Sequence, residues 1–507
     1  MRIAGALRPK RPLAIIIAAI FFSLAFAPSP LWFLGYFAVP LFVAALHKDR
    51  NFWSGFRSGY WFGFIISLVT LYWVAVVTVT GFVALALAHP VYYALVGGLY
   101  AAIRRKVGAW ALAALPLIWL AMEYIRSLSE LSFPWLNLSY TQWENLAIVQ
   151  LAGFAGDAAV SFFVVIVGVL LYLGYSRLKR PVASLLWFFA AILVYTGGYF
   201  VGAFQLQEIE TDSRVAVLQG NVANKDKWRS GSIDHNFYNY EELTDSAAAA
   251  GATLVIWPET AAPCYLAQER AYLNWVEGIA AKYKVDMLVG ALYLTENELE
   301  ENYYSNSAYF FRPTGVKLPP YNKQKLVPFS EHVPYSHQVG WIDGFRKLLK
   351  SDLGLDVSNF RPGDSLAIYR SGSKVVVPLI CFEVVYPAYV REMVNLGANL
   401  LTVITNDAWF GETAGPYQHA AMPVFRAVEN RCWLIRAANT GISEVIDPNG
   451  RVVQSLALGE RGYLVADVGG KSGETMFDRH GLWLSQICLV AMLPLILIAI
   501  IGKRRDA

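Results

Sequence analysis

The chain has 507 residues, of which 56% are hydrophobic and only 16% are charged. A soluble globular protein carries about a quarter of its residues as charged side chains, so this composition excludes an ordinary soluble protein. The formal net charge of +4 is too small to indicate a protein that binds nucleic acid. The four cysteines, Cys264, Cys381, Cys432 and Cys488, include no CxxC pair, so the sequence indicates no zinc site, redox dithiol or disulfide framework.

The apolar residues are concentrated in 13–204 and 482–502, while residues 206–478 have the composition of a soluble domain. A membrane span needs about 20 mostly apolar residues. Eight stretches are candidates, the first two of them short: 13–28, 31–47, 58–78, 81–102, 108–126, 147–175, 182–204 and 482–502. The sequence therefore predicts seven spans before the soluble stretch and one after it.

The distribution of Lys and Arg predicts the orientation, because positively charged loops stay in the cytoplasm. Basic clusters precede the first predicted span and follow the second, fourth, sixth and eighth, whereas the loops 28–31 and 78–82 contain no Lys or Arg. With eight spans all the clusters lie on one side, so both termini would be cytoplasmic. We therefore expect three parts: a seven-span domain at 1–205, a non-cytoplasmic domain at 206–478, and a span with a cytoplasmic tail at 479–507.

Two stretches allow a second interpretation. Residues 1–27 also fit a cleaved signal peptide, but the apolar runs after them must insert in any case, and the charges fit a retained span. The loop 127–146 contains many aromatic residues and is either an interface belt or part of a lipid-binding mouth. Composition favours the belt. Glu123, at the end of a predicted span, is either functional or structural.

Apolar strands alternate with helices along the soluble stretch, which predicts an α/β domain. The predicted strands are 213–222, 252–260, 285–294, 306–313, 374–383 and 398–407, and the predicted helices are 273–283, 388–396 and 419–430. Two further strand-like runs follow at 441–451 and 461–468, and Asn449–Gly450 marks a turn in the first of them.

Ionisable residues follow three of the apolar segments: Glu259 after LVIWP, Lys323 within YNKQKLVPFSE, and Cys381 after VVVPLI. Taken singly, such a cysteine is more often a small core residue, and a lone Glu or Lys is more often solvated surface. Together they fit acyl transfer, since a thiol needs a base before it attacks and the tetrahedral intermediate needs a positive donor. Pattern alone does not separate Lys323 from Lys325.

Five short motifs carry a family resemblance. They are WPET with Glu259, YNKxxLVPFxE at 321–331, CFE at 381–383, NDAWFG at 406–411 and ANTGIS at 438–443. They resemble the nitrilase superfamily, whose members use a Glu–Lys–Cys triad on an αββα sandwich. With the eight predicted spans and FPWLNLSYTQ at 133–142, the resemblance narrows to the apolipoprotein N-acyltransferase family and covers essentially the whole chain.

The resemblance implies roles for individual residues. Glu259 would be the general base, Cys381 the nucleophile, and Lys323 the partner of the oxyanion. The supporting residues would be Glu331, which orients the triad, Glu383, which holds the cysteine loop, and Trp228. Two positions depart from the family pattern: Phe382 stands where Tyr is common, which removes a hydroxyl, and Ser330 stands where Gly is common.

The resemblance also implies the reaction and its surroundings. Cys381 would take an acyl chain from a phospholipid as a thioester and pass it to the amine of a diacylglyceryl-cysteine on a lipoprotein. The expected location is a bacterial inner membrane with the catalytic domain in the periplasm, as a monomer without cofactor, metal or nucleic acid. The candidate substrate-binding residues are Trp135, Phe382, Asn406, Trp409 and Phe410. For the apolar residues Trp409, Phe410, Trp341 and Phe345, the alternatives are an acyl groove and core packing.

Two other functions remain open on the residues alone. A membrane-anchored amidase would share the triad but act on a small soluble amide. A transporter with a soluble receptor domain would need ionisable residues in several spans, but the sequence has few of them there, chiefly Glu123 and Asp157, which argues against transport.

The charge pattern makes a testable prediction about topology. A reporter fused after Phe204 should be active outside the cytoplasm, and one fused after Lys503 should be active inside it, because the basic clusters alternate with eight spans. Reporter fusions assayed in intact cells would measure this. Termini on opposite sides of the membrane would require an odd number of spans and would contradict it.

Overall fold

The structure, a computed structural model, describes residues 11–49, 51–227, 231–296, 302–316, 318–335 and 360–502. The chain divides into two compact units. The first contains Met1–Leu206 and Arg479–Ala507, and the second is the continuous segment Gln207–Asp478.

The first unit is helical. Its main helices are α1 (Arg11–Leu24), α2 (Leu34–Leu46), α3 (Phe52–Thr70), α4 (Val79–Ala88), α5 (Pro90–Val107), α6 (Ala111–Arg126), α7 (Asp157–Ser176), α8 (Pro181–Ala203) and, in the second segment, Trp483–Ile501. Within the described residues, four stretches are long and apolar enough to cross a membrane: Val79–Arg126, Asp157–Ser176, Pro181–Ala203 and Trp483–Ile501. The first of these has 48 residues, more than twice the roughly 20 that one crossing needs, and it is interrupted at Gly108, whose φ is 64°.

Several predicted spans have different limits in the structure; the stretch 81–102, for example, divides into α4 and α5 at His89. The stretch 147–175 was expected to be one helix, but the chain breaks at Gly156, whose φ of 75° lies in the left-handed region, and α7 begins only at Asp157. The stretch 58–78 begins earlier, because Asn51 caps α3 by accepting a hydrogen bond of 2.9 Å from the Ser54 amide. That helix ends at Thr70 and leaves Val74–Val77 as a separate turn.

The aromatic loop between α6 and α7 lies inside the helical unit. Trp135 is only 2% exposed, and its ring packs against Phe133 and Trp73. Residues 134–142 are buried throughout. The interface-belt interpretation of this loop is therefore wrong for its central part.

Buried polar side chains fix this loop. Glu123 accepts hydrogen bonds from the Leu138 amide at 2.8 Å and from the Trp119 indole at 3.0 Å. The Asn137 side chain accepts from Arg126 at 2.7 Å and donates to Asp157 at 2.8 Å. Both acids that the sequence marked as candidates for transport therefore bind the loop, since a buried polar group must find a partner within the protein.

The second unit contains two β-sheets. The strands are β1 (Ser213–Gln219), β2 (Leu254–Ile256), β3 (Ala262–Tyr265), β4 (Asp286–Glu296), β5 (Asn302–Phe311), β6 (Tyr321–Asn322), β7 (Tyr369–Ser371), β8 (Lys374–Ile380), β9 (Leu400–Thr405), β10 (Trp433–Ala438), β11 (Ser443–Ile446), β12 (Val452–Leu456) and β13 (Gly462–Val468). The first sheet has the order β13-β1-β2-β4-β5-β6, with β3 also paired to β4, and the second has the order β12-β11-β10-β9-β8-β7. The central strands β1, β2 and β4 are parallel, as are β8, β9 and β10.

The first strand of this unit pairs with its last. β1 and β13 are antiparallel, with Ser213 opposite Val468 and Gln219 opposite Gly462. The predicted turn at Asn449–Gly450 lies between the antiparallel strands β11 and β12, and Gly450 has a φ of 82°.

Helices accompany both sheets. α9 (Ile233–Ala249) and α10 (Arg270–Tyr283) contact strands of the first sheet, and α11 (Pro387–Asn395) and α12 (Ala414–Asn430) contact strands of the second. A buried apolar cluster that includes Phe237, Trp257 and Ile279 fills the space between the first pair of helices and its sheet. The predicted α/β alternation is confirmed, with the ends of most elements shifted by a few residues.

The contact between α3 and α5 gives a stability prediction. Gly55, Gly59 and Gly63 recur every four residues on α3, a spacing that lets two helix backbones approach closely. A Cβ at Gly59 would lie 2.1 Å from the Tyr93 carbonyl oxygen. Gly59→Ala should therefore lower the free energy of unfolding by about 1–3 kcal/mol, the usual cost of overpacking. Gly197→Ala on α8 is the matched control, since nothing lies within 4 Å of its Cβ.

Thermal unfolding of the two variants in the same detergent measures the difference. Equal unfolding temperatures for Gly59→Ala and Gly197→Ala would show that the α3–α5 contact is not closely packed.

Candidate active site

Three chain segments place ionisable side chains at the ends of buried strands. Glu259 follows β2 after Trp257 and Pro258, Lys323 follows β6, and Cys381 follows β8 and begins a short 3-10 helix that ends at Val385. Cys381 has a φ of 53°, which is rare for a residue other than glycine. Such strained residues cluster at functional sites, where the surrounding structure holds them in place.

Glu259 is held on both of its oxygens. Its Oε1 accepts a hydrogen bond from the Asn306 side chain, and its Oε2 accepts one of 2.7 Å from the backbone amide of Asn406. Burial raises the pKa of Glu259, the charge of Lys323 opposes this shift, and Glu331 adds to it. The carboxyl group is therefore fixed in orientation and is a stronger base than an exposed glutamate.

Lys323 lies among acids. Its side chain is fully buried, and its Nζ is 2.7 Å from Glu331 Oε1. The other oxygen of Glu331 accepts a hydrogen bond of 2.8 Å from the Val327 amide, which holds the acid in place. Burial alone would lower the pKa of Lys323, but the charges of Glu331 and Glu259, together with that of Cys381 in its thiolate form, raise it above its usual value. The ammonium group is therefore a permanent cation at neutral pH.

The structure separates the two lysines that pattern could not. Lys325 is exposed, and its Nζ lies 5.5 Å from the centre of the Tyr389 ring. Of these two lysines Lys323 is the buried one, and its backbone amide donates to the carbonyl of Asn306, the residue that also binds Glu259. One β5 residue thus positions both the carboxylate and the lysine.

The surroundings of the Cys381 thiol favour its protonated form. Burial raises its pKa, and Glu259 and Asp407 add to the shift, while Lys323 and a hydrogen bond with Thr405 oppose it. The residue as a whole is partly accessible. A thiol in this state is a weak nucleophile until a base accepts its proton, and Glu259 is the carboxylate whose charge acts on it most strongly.

Glu383 connects the lysine loop to the cysteine loop. Its Oε1 accepts hydrogen bonds from the Tyr321 hydroxyl at 2.6 Å and the Gln324 amide at 2.7 Å, with the Lys325 amide at 3.2 Å. Its Oε2 accepts one of 2.7 Å from the Ile380 amide, directly before the nucleophile candidate. Four donors on one fully buried carboxylate fix the ends of β6 and β8 relative to each other.

A second buried network lies behind the cysteine and was missed from the sequence. Asp407 contacts His419 Nδ1 at 3.1 Å and accepts a hydrogen bond of 2.5 Å from Arg436. The other ring nitrogen of His419 lies 3.3 Å from the Cys381 carbonyl oxygen. Burial and the charge of Arg436 lower the pKa of His419, although Asp407 opposes this shift. The NDAWFG motif already contained Asp407, but nothing in the sequence marked His419 or Arg436.

The other predicted residues lie in different surroundings. Asn406 is buried and its side chain binds Asn224 and Asn439, both at 2.9 Å. Trp409 is 54% exposed, while Phe410 is half-buried with its ring 6.3 Å from that of His419.

Phe382 is buried and packs edge-on against Tyr386, and Trp135 belongs to the helical unit. Trp228, Trp341 and Phe345 lie outside the described residues. Across the described ranges, no group of three or more His, Cys, Asp and Glu side chains is arranged to hold a metal ion.

Comparisons with known proteins match both units. Residues 214–475 match the carbon-nitrogen hydrolase family and residues 18–170 match the apolipoprotein N-acyltransferase N-terminal domain. Proteins named apolipoprotein N-acyltransferase are similar to this chain over nearly its full length. The one from Geobacter metallireducens is 32% identical over 93% of this chain and 92% of its own, and the one from Pseudomonas paraeruginosa is 31% identical over 98% and 97%. Among solved structures, a variant of the Nesterenkonia AN1 amidase from the nitrilase superfamily is 20% identical, with a TM-score of 0.40, over 55% of this chain and 100% of its own.

The Glu383 contacts give a prediction for this site. Glu383→Gln should lower the free energy of unfolding by about 1–3 kcal/mol, because an amide has one acceptor oxygen and its NH₂ group would face a donor in a buried site. Thermal unfolding would measure the loss. Glu412→Gln, at an exposed position, is the matched control and should leave stability within about 0.5 kcal/mol of the parent. Equal stability of the two variants would mean that Glu383 does not hold the two loops together.

Proposed function

The chain belongs to the apolipoprotein N-acyltransferase family, and from this premise we propose that its second unit transfers a fatty acyl chain from a phospholipid to the amine of a diacylglyceryl-cysteine on a lipoprotein. The observation that carries the proposal is that hydrogen bonds bring three buried segments together. Asn306 binds both the Glu259 carboxylate and the Lys323 backbone amide, and Glu383 binds both the loop after Lys323 and the Ile380 amide directly before Cys381. The side chains of Glu259, Lys323 and Cys381 are a base, a cation and a nucleophile, which are the parts that acyl transfer through a thioester needs.

The first half-reaction forms the thioester. Glu259 accepts the proton of the Cys381 thiol, and the thiolate attacks the ester carbonyl of the phospholipid. The ammonium group of Lys323 stabilises the oxyanion of the tetrahedral intermediate. When the intermediate collapses, the ester C–O bond breaks, Glu259 returns its proton to the departing glycerol oxygen, and lysophospholipid leaves.

The second half-reaction forms the amide. The amine of the diacylglyceryl-cysteine attacks the thioester carbonyl and loses a proton to Glu259, again through an oxyanion next to Lys323. The C–S bond then breaks, and Glu259 returns the proton to the Cys381 sulfur. Glu259 and Cys381 thereby regain their starting protonation states. Because the acyl group is held on Cys381 between the two half-reactions, the two substrates react one after the other, in a ping-pong mechanism.

A lipid donor is supported by the surroundings of the site. Two exposed aromatic residues, Trp409 and Phe329, lie on the loops that also carry Asn406 and Glu331. Exposed aromatic side chains next to a catalytic centre are suited to apolar substrate chains. The four apolar stretches of the first unit indicate a membrane protein, and lipid substrates with long tails are most accessible to an enzyme at a membrane.

We extend the proposal to the arrangement of the chain. Eight spans would place both termini in the cytoplasm of a bacterial cell and the catalytic domain, 206–478, in the periplasm as an αββα sandwich. The division of the chain after Leu206 and before Arg479 supports these boundaries. The contacts of β1 with β10 and β11 support two sheets packed face to face.

The test is thioester formation on the purified protein. Glu259→Gln should slow acylation of Cys381 by about 10²–10⁴-fold, because the amide keeps the shape of the side chain but cannot accept a proton. Incubation with phospholipid, followed by alkylation protection and intact-mass spectrometry, measures the adduct. Cys381→Ala should give no adduct, whereas Cys264→Ala, Cys432→Ala and Cys488→Ala should react like the parent.

Two outcomes would contradict the proposal. Acylation of the parent protein by a soluble amide but not by phospholipid would indicate a membrane-anchored amidase. Normal acylation of Glu259→Gln, with failure only after the amine is added, would remove Glu259 as the base that activates the thiol.

A further inference from the structure

A second lysine is buried behind Glu259. Lys227 is the last residue of the short helix Asn224–Lys227 and is only 1% exposed. Its Nζ donates a hydrogen bond of 3.0 Å to the Thr260 hydroxyl and lies 3.4 Å from the Glu259 carbonyl oxygen. Both contacts are to the backbone turn formed by Glu259, the proposed base, and Thr260. The mechanism above assigns Lys227 no part.

A buried ammonium group needs compensation. Removing such a cation from water costs several kcal/mol unless an opposite charge and hydrogen bonds offset the loss. The two oxygen atoms that accept its hydrogen bonds, the Thr260 hydroxyl and the Glu259 backbone carbonyl, are neutral. The compensating charge must therefore come from another group. Burial lowers the pKa of Lys227 to about 7, and the charge that opposes this shift is Glu259. Lys227 and Glu259 therefore stabilise each other's charged forms.

The turn that Lys227 contacts is strained. Thr260 has a φ of 49°, a left-handed conformation that a β-branched residue rarely adopts. The hydrogen bond from Lys227 to Thr260 Oγ1 therefore holds the chain in this conformation directly after the base. A mobile turn would let the Glu259 carboxylate leave the donors that fix it.

The charges around the base also favour a second cation. The groups that face Glu259 are Lys323, Glu331, Cys381 and Lys227. Lys323 is in direct contact with Glu331, 2.7 Å away, so part of its charge is neutralised by another acid. Lys227 differs from Lys323: its hydrogen bonds are to a carbonyl and a hydroxyl oxygen, and among the described residues it makes no direct contact with a carboxylate.

We propose that Lys227 is a positioning residue of the acyl transfer, which acts through Glu259 by holding the Glu259–Thr260 turn and by keeping the base ionised. The proposal rests on the function proposed above. It assigns Lys227 no contact with substrate. The charge of Lys227 is fully present below its own pKa of about 7, so it acts on Glu259 throughout the acid range of pH.

The sign of the pH effect follows from these charges. Glu259 must be ionised to accept the thiol proton, so acyl-enzyme formation is lost as pH falls through the pKa of Glu259. A neighbouring cation lowers that pKa. Loss of the Lys227 charge should therefore raise it and shift the acid limb of the rate profile to higher pH.

The experiment compares charge-free variants with a matched control. The rate of Cys381 acylation by phospholipid vesicles is measured between about pH 5 and pH 9 for the full-length protein. Lys227→Met and Lys227→Gln should shift the acid midpoint upward by about one pH unit, with rates at high pH within a few-fold of the parent. Lys227→Arg keeps the charge and should restore the midpoint. Lys225→Met removes an exposed charge from the same helix and should leave the profile unchanged.

Each result decides the proposal. A rate that falls equally at every pH, with an unchanged midpoint, would overturn it and leave Lys227 a structural residue, as would failure of both neutral variants to fold. The same shift in Lys225→Met would show that the effect is general surface charge. If the parent protein formed no thioester, the proposed function itself would be wrong. That result differs from failure of the Lys227 proposal alone, in which the parent still forms the thioester.

Discussion

The carboxylate of Glu383 fixes the loop after Lys323 against the end of the strand before Cys381. It is buried, and a buried carboxylate must receive hydrogen bonds from the protein itself. Its backbone donors come from two separate places, the loop that follows Lys323 and the end of β8 at Ile380, beside Cys381. The candidate nucleophile follows a strand of one sheet and the candidate lysine follows a strand of the other, so strand pairing among the described residues does not fix their separation. One acid that takes no part in the proposed chemistry makes this connection.

The three candidate residues could be predicted from sequence, because Glu259 and Cys381 follow segments with clear apolar patterns and Lys323 lies within a family motif. Their roles stay a prediction. The buried groups behind them were not. His419 and Arg436 lie inside a helix and a strand, where a polar residue carries no local signal, and their roles arise only when distant segments meet at Asp407. Lys227 was missed for the same reason. The predicted limits of the span 147–175 were wrong, because the apolar sequence continues through Gly156, where the helix is interrupted.

The position of the aromatic loop shows a related limit. Composition alone gives Trp, Tyr and Phe the same meaning at a membrane interface and in a protein core. The difference lies in the polar residues nearby, since Glu123 and Asp157 would be costly in lipid unless they had partners. Their hydrogen bonds to the loop resolve both questions together: the acids are satisfied, and the loop is held inside the helical unit.

The pairing of β1 with β13 has a consequence for how the domain is made. Its first strand emerges from the ribosome early, but the partner on its outer edge is the last strand of the same domain. Until that strand arrives, β1 has an unpaired edge, and long-range strand pairing of this kind folds slowly. The same pairing brings the two ends of the domain side by side. A domain whose two ends are adjacent can be inserted between two helices of another protein without separating those helices.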